Sequence, residues 1–200
     1  MLWPRMTPRA AAAAAALTLS AAPIALAAGT PGFDGPTIKN PAVPPAFTLH
    51  DQNGNVVRLV QQRGHVVLIT FLYTHCLDVC PLTAAHLNQA LRMLGPKRTL
   101  VRVFAISVDP KGDTASAVKR FIHAHALLRQ FHYLTGTRAE LQSIWAAYGV
   151  KSRAQAGGDR VDHTLYTLLL DRALKGRVLY DSTATPTAIT HDIRILLQPS

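Results

Sequence analysis

The sequence predicts an α/β domain with a central mixed sheet flanked by helices and an extra β-hairpin at its N-terminal end. Three observations lead there. Two nearly unbroken apolar runs, at 65–73 and 100–108, are rich in branched residues, as strands buried on both faces are. Stretches with leucines at helical spacing follow or separate such runs. Near the C-terminus two short apolar runs flank Leu174 to Gly176 and lead into a last helix, which adds an antiparallel edge to a mostly parallel sheet.

The elements follow in order. "FTLHDQNGNVVRL", starting at Phe47, gives two short strands around Asn53-Gly54, a strong hairpin signal. "HVVLITFLY" is the first core strand. "PLTAAHLNQALRML" places Leu82, Leu87, Leu91 and Leu94 at helical spacing, with Pro81 suited only to the first turn and Gly95-Pro96 as the stop. "LVRVFAISV" is the second core strand, closed by Asp109-Pro110. Asp113-Thr114 offers a cap for a helix running to about Arg129. "FHYLTG" is a short strand, and Thr137 opens a helix through Tyr148 that Gly149 ends. Gln155 to Asp159 reads as a loop. "HTLYTLLLD" and "GRVLYDS" pair as the final hairpin, and Thr185-Pro186 starts a helix to Leu197.

The N-terminus sets the compartment. In residues 1–27, Arg5 and Arg9 precede an uncharged, Ala-rich stretch that ends in Ala25-Leu26-Ala27, the small-x-small pattern of a signal-peptidase site. This segment reads as a signal peptide or an N-terminal anchor, and residues 28–45, rich in Pro and Gly, as a linker. The domain proper then covers 46–200. The expected location is periplasmic, with a tether to the inner membrane if the N-terminus is retained; cysteines can stay oxidised there. The chain of 200 residues carries a formal charge of +10, or +8 without Arg5 and Arg9. Export excludes nucleic acid as the partner of that charge, which leaves a solvated basic surface or an acidic protein.

Strands alternating with helices and closed by a hairpin and helix are the layout of a thioredoxin-like domain. The only cysteines, Cys76 and Cys80, fall where the first core strand hands over to its helix. Ligands bind at that edge of open α/β sheets. Partial positive charge at the helix start favours thiolate, so both sulfurs are expected to be reactive.

Their spacing allows two uses. Residues four apart on a helix have Cβ atoms roughly 5–6 Å apart, whereas a disulfide wants roughly 3.5–4.5 Å. Two thiolates on one metal sit wider than a bridge, at about 4 Å for bonds of about 2.3 Å and a trigonal angle. The spacing eases metal capture without forbidding oxidation. A third ligand must then come from elsewhere. Among nine histidines, His163 is singled out by position, since it lies at the junction that faces the cysteine loop in such domains. A polar cap on a loop is the other reading of that residue. Asp78 and Asp162 are candidates to tune the ligands through hydrogen bonds. A Cys₂His set suits Cu(I), which accepts three soft ligands, better than structural zinc, which prefers four.

"TFLYTHCLDVCPLT", "ISVDPKGDT", "YLTGT" and "VDHT", in this order and spacing, resemble the SCO/SenC proteins over about Pro45 to Leu197. The resemblance implies a thioredoxin-like copper chaperone that delivers copper to the dinuclear copper site of cytochrome c oxidase during its assembly. It maps copper ligands onto Cys76, Cys80 and His163, with Cu(I) as cargo and Cu(II) as the other state to consider. The implied partners are the copper-acceptor subunit of the oxidase, a copper donor and a thiol reductant. The alternative is a thiol–disulfide oxidoreductase acting on the acceptor's cysteines, with Cys76 and Cys80 as the redox pair. Leu77, Ala115 and Thr164 depart from the residues usual in the family, and none of them removes a ligand.

Overall fold

The computed structural model describes residues 32–154 and 161–199. The expected signal peptide or anchor at 1–27 and the expected loop at 155–159 lie outside the described residues.

The chain opens with the hairpin, β1 (Thr48–His50) against β2 (Val56–Arg58), closed by a turn in which Gly54 adopts φ +80°. Only glycine enters that region without strain. Asp51 fixes the turn by accepting from the Asn53 and Asn55 amides at 2.9 Å each. β3 (Val66–Leu72), α1 (Val79–Met93), β4 (Val101–Ser107), α2 (Ala115–Ala124), β5 (Phe131–Leu134) and α3 (Arg138–Ala147) follow in strict alternation. Two short strands, β6 (Ser152–Ala154) and β7 (Val161–His163), pair with each other. β8 (Thr167–Leu170), β9 (Gly176–Tyr180) and α4 (Pro186–Leu196) complete the domain.

The sheet order is β5-β4-β3-β8-β9. β3, β4 and β5 run parallel, while β8 and β9 are antiparallel, so the sheet is mixed as expected. β3 sits at the centre and all seven of its residues are buried. That explains its continuous apolar composition, because both faces are covered. α4 lies beside α1, where the Thr190 hydroxyl and the Arg194 guanidinium reach the carbonyls of Ala90 and Met93. Around Phe71 and Phe104 the rings of Phe47 and Tyr148 pack edge-on or tilted, at centroid distances of 5.8–6.3 Å.

Several boundaries differ from the sequence expectation for identifiable reasons. α2 ends at Ala124, five residues before Arg129. Asn88 of α1 intervenes: its side chain donates to the Ala126 carbonyl and accepts from the Leu128 amide. That offers the backbone a better partner than another helical turn. The first strand of the last hairpin, β8, starts at Thr167, not at His163, because 161–163 pairs separately with 152–154.

The described part of the segment expected as a linker is held along the outer edge of the sheet. Leu179 donates to Pro36, Ile38 to Arg177 and Gly176 to Ala42, and Thr37 bridges Val178. The Arg177 guanidinium stands 5.5 Å from the Phe33 ring centroid. Asp192 of α4, fully buried, latches the start of this strap by accepting from the Asp34 and Gly35 amides and from the Tyr180 hydroxyl. A side chain at Gly35 would collide with Tyr180 and Val178. The strap caps an edge strand that would otherwise present unpaired amides and carbonyls.

Candidate metal centre

The C-terminal end of β3 leads directly into the cysteine loop. Tyr73 is buried, Thr74 and His75 form a turn, and Cys76 precedes α1, whose first residue is Val79. The loop is anchored from below by Asp113, a buried carboxylate on the segment between β4 and α2. One oxygen accepts from the Thr74 amide at 2.7 Å; the other accepts from the Ser107 and Tyr133 hydroxyls. The sequence offers Asp113-Thr114 together as the helix cap, and the two residues divide the work. Thr114 is the cap, with its hydroxyl accepting from the Ala117 amide at 3.2 Å.

Cys76 does the capping work that Asp78 does not. Asp78 stands at the N-cap of α1, is exposed, and makes no side-chain cap hydrogen bond. The Cys80 amide donates instead to the Cys76 sulfur at 3.4 Å. Burial alone would raise the Cys76 pKa. The amides of Asp78 and Cys80, the Cys80 thiol and the Tyr73 hydroxyl all hydrogen-bond the sulfur and bring the net shift downward. Donors aimed at an anion favour it.

Cys80 behaves differently, and here the expectation of two reactive sulfurs is corrected. Its side chain is 0% exposed, and burial drives its pKa up, reinforced by the neighbouring Cys76 and Asp113 charges. The helix start lies beside both residues, but desolvation outweighs it for the one sealed in the core. Both cysteines are free thiols.

His163, at the end of β7 and paired in register with Ser152, is brought to the cysteines. Its Nε2 stands 3.8 Å from Cys80 Sγ. Its Nδ1 lies 3.1 Å from the Thr164 carbonyl, which can only accept, so that nitrogen carries the proton and Nε2 presents a lone pair toward the sulfur. The Tyr73 ring meets the imidazole edge-on at 5.7 Å. Tyr73 thus touches both Cys76 and His163, a role sequence reasoning missed because it reads as one more apolar residue of a core strand. The side chain of Asp162 lies outside the described residues.

The donor set fits a trigonal soft cation. Bonds of about 2.3 Å to sulfur and 2.0–2.1 Å to nitrogen at a trigonal angle separate the two donor atoms by about 3.8 Å, which matches the Cys80–His163 distance. Other histidines are engaged elsewhere: His86 with the Ala184 carbonyl, His65 with Arg102, His132 with Asp51 and His191 with Asp34 and Asp192. The Asp34–His191–Asp192 group has its donor atoms within 4.8 Å of one another, but it is the latch of the N-terminal strap described above.

Residues 35–198 match the SCO1/SenC family. The chain belongs to that family. A relative, the SCO2-like protein RP587 of Rickettsia prowazekii, is 30% identical over 135 residues, and the match spans 63% of each chain. The structure of Bradyrhizobium japonicum ScoI with copper bound is 32% identical, with a TM-score of 0.69 over 78% of this chain and 100% of that one. BsSco, a member of the Sco family of cytochrome c oxidase assembly proteins in which a disulfide switch was identified, is 26% identical, with a TM-score of 0.67 over 80% of this chain and 99% of that one. These likenesses cover about four fifths of the chain and establish the thioredoxin-like arrangement of this SCO/SenC protein. Among the described residues no helix is long and apolar enough to cross a membrane.

Proposed function

We propose that this SCO/SenC protein is an exported copper chaperone that delivers copper to the dinuclear copper site of cytochrome c oxidase during assembly. Cys76 and Cys80 supply sulfur and His163 supplies imidazole nitrogen. The observation that carries the reading is the 3.8 Å approach of His163 Nε2 to Cys80 Sγ, with the Cys76 sulfur one helical turn away on the same loop. Support also comes from the copper bound in the Bradyrhizobium relative and from the membership of BsSco in a family of oxidase assembly proteins.

Cu(I) suits the soft donors and the low coordination number. Cys76 is the accessible sulfur, so an acceptor thiol would displace copper from that side first and pass it on by ligand exchange. The expected partners are an acidic copper-acceptor subunit of the oxidase, a copper donor and a thiol reductant that keeps both sulfurs reduced. The expected location is the periplasm, with residues 1–27 as signal or tether.

The test is Cu(I) binding by the reduced protein, anaerobic and in competition with a Cu(I) chelator. One copper per chain is expected, with affinity at least a hundredfold weaker in His163→Ala. Equal affinity in wild type and variant would remove His163 from the ligand set.

The asymmetry of the cysteines favours a second activity of the same site, thiol–disulfide exchange with the acceptor. The Cys76 thiolate would attack an acceptor disulfide, forming a mixed disulfide and releasing one acceptor thiolate. Cys80, on losing its proton, would attack Cys76 Sγ, release the second acceptor thiolate and leave a Cys76–Cys80 disulfide. Two electrons pass to the acceptor, and a dithiol reductant must restore the pair. His163→Ala should retain most of this exchange while losing copper, which separates the two activities.

A further inference from the structure

A second site lies at the opposite end of the sheet. The candidate metal centre follows the C-terminal end of β3. At the N-terminal ends of β4 and β5, about seven residues or roughly 20 Å away along the strands, a cavity of about 390 Å³ is lined by Thr99, Arg102, Arg129, Gln130 and His132. Every one of these side chains is polar. Arg102 is the second residue of β4 and Arg129 and Gln130 immediately precede β5, while His132 sits opposite Phe104 in the β4–β5 register. The parallel pairing of the two strands therefore gathers the residues at one edge.

Arg102 is set in place before anything binds. Its Nη1 donates to the Thr99 and Val101 carbonyls at 2.9 Å each, and its Nη2 lies 3.0 Å from His65 Nε2. Three of the five guanidinium N–H groups are thereby used, and two remain. Among the described residues neither Arg102 nor Arg129 is paired with a carboxylate. Burial lowers the Arg102 pKa, and the nearby Arg129 charge adds to that lowering. Gln130 is only 4% exposed, yet its Oε1 has no hydrogen-bond partner. Its amide can turn over to present N–H₂, since the two ends are nearly isosteric. Among the described residues the carboxylate in ion-pair reach of the cluster is Asp51, 3.5 Å from His132, and its oxygens are largely committed to the Asn53 and Asn55 turn. Two like charges held together beside an orphaned amide form an arrangement that an anion with several acceptor oxygens would complete.

We infer that this cavity is an oxyanion-binding site that takes a phosphate group, with Arg102 and Arg129 as the charged contacts and the turned Gln130 amide as a neutral donor. A planar carboxylate would satisfy one guanidinium; a tetrahedral phosphate can face both and the amide together. The Thr99 hydroxyl lines the cavity but donates to the Pro96 carbonyl at 3.1 Å. The phosphate can come from a soluble ion or from an anionic phospholipid headgroup, which an exported protein beside a membrane would meet.

The test uses the reduced full-length protein, the Arg102→Gln/Arg129→Gln variant and a charge-matched control, Lys119→Gln/Arg120→Gln, in α2. Inorganic phosphate is titrated calorimetrically at constant ionic strength, with sodium acetate as the carboxylate probe. Vesicles of phosphatidylglycerol and phosphatidylcholine, 1:1, are then compared with phosphatidylcholine alone by co-sedimentation. Saturable phosphate binding is expected in wild type and control and should weaken at least tenfold in the cavity variant. Copper affinity should be unchanged in all three. Loss of phosphatidylglycerol binding in the cavity variant alone would assign the phosphate to lipid, and equal vesicle binding in all three would assign it to a soluble ion. The single Arg129→Gln variant, at an exposed residue, must show a partial loss, which guards against misfolding as the cause. Phosphate binding that is absent in wild type, equal in the cavity variant, or matched by acetate overturns the inference.

Discussion

Replacing Asp113 by alanine tests whether the metal centre is held from beneath. The carboxylate accepts from the Thr74 amide, the Tyr133 hydroxyl at 2.9 Å and the Ser107 hydroxyl, and Thr74 is two residues from Cys76. Ser107 Oγ also accepts from the Asp109 amide and can rotate, so its loss counts for little. The Thr74 N–H and Tyr133 O–H are left without their acceptor, and a buried donor so orphaned costs about 1–3 kcal/mol. The expected destabilisation is about 2–5 kcal/mol, a large share of the roughly 5–15 kcal/mol that holds a domain together. Asp113→Asn keeps the shape and the oxygen facing Thr74, and the hydroxyls can turn to accept from its amide, so its cost should stay under about 1.5 kcal/mol. Urea denaturation of the reduced, copper-free protein reads both values, and Cu(I) competition reads the site. The alanine variant should also bind copper more weakly, because the loop carrying Cys76 loses its anchor. The two variants differ in pH dependence as well. Burial raises the Asp113 pKa more than the hydrogen bonds from Ser107, Thr74 and Tyr133 lower it. Stability contributed by the protonated form is thus complete below the unfolded value, near 3.9, and is lost as pH rises through the folded value. Asp113→Asn should lack that decline. An alanine variant that loses under about 1 kcal/mol and keeps full copper affinity would refute the anchoring role.

Two further outcomes follow from the same geometry. Iodoacetamide should modify Cys76 rapidly near neutral pH and Cys80 only on unfolding, because Cys76 is partly exposed with a lowered pKa while Cys80 is sealed with a raised one; mass mapping of early product reads it, and equal labelling would sink the distinction. Burial lowers the His132 pKa below 6.5, with Asp51 opposing. Its contribution is complete above 6.5 and is lost as pH falls toward the folded value, so the urea midpoint should drop on acidification and drop less in His132→Gln.

The parts of this fold legible in the sequence are those whose physics is local or compositional. β3 and β4 announce themselves because strands covered on both faces need apolar residues throughout. Thr114, Thr137 and Thr185 were readable as caps because a hydroxyl just before a helix has one evident use, and each accepts from the amide three residues on. The metal-ligand candidates were legible for a different reason: two cysteines at a helix start leave few chemical options. What escaped depends on distant partners. β6 and β7 are three residues each with no apolar alternation, and only their mutual pairing makes them strands. The strap at 33–42 has the composition of a linker, and its order comes from Asp192, some 150 residues later. Asp113 was read as a local cap because nothing in its neighbourhood reveals that Thr74 and Tyr133 converge on it.

The two sulfurs, alike in sequence, are made unequal by depth, and that inequality suits a carrier. Cys76, stabilised as thiolate and reachable from solvent, can capture a cation from a donor or meet an acceptor thiol without rearrangement. Cys80, buried and reluctant to ionise, gives up its proton more readily when a cation takes the proton's place. An empty centre therefore does not hold two adjacent thiolates, whose repulsion would strain the loop, and it resists closing into a disulfide until Cys80 is deprotonated. His163 completes the logic. With Nδ1 committed to the Thr164 carbonyl, Nε2 offers a neutral lone pair, so in the proposed site Cu(I) held by two thiolates and an imidazole would leave a single net negative charge in the pocket. The Tyr73 hydroxyl and the first amides of α1 are already aimed at that charge. Under the proposed function, replacing either cysteine would damage both copper binding and disulfide exchange, whereas replacing His163 is expected to damage copper binding alone, so the His163→Ala variant separates the two activities.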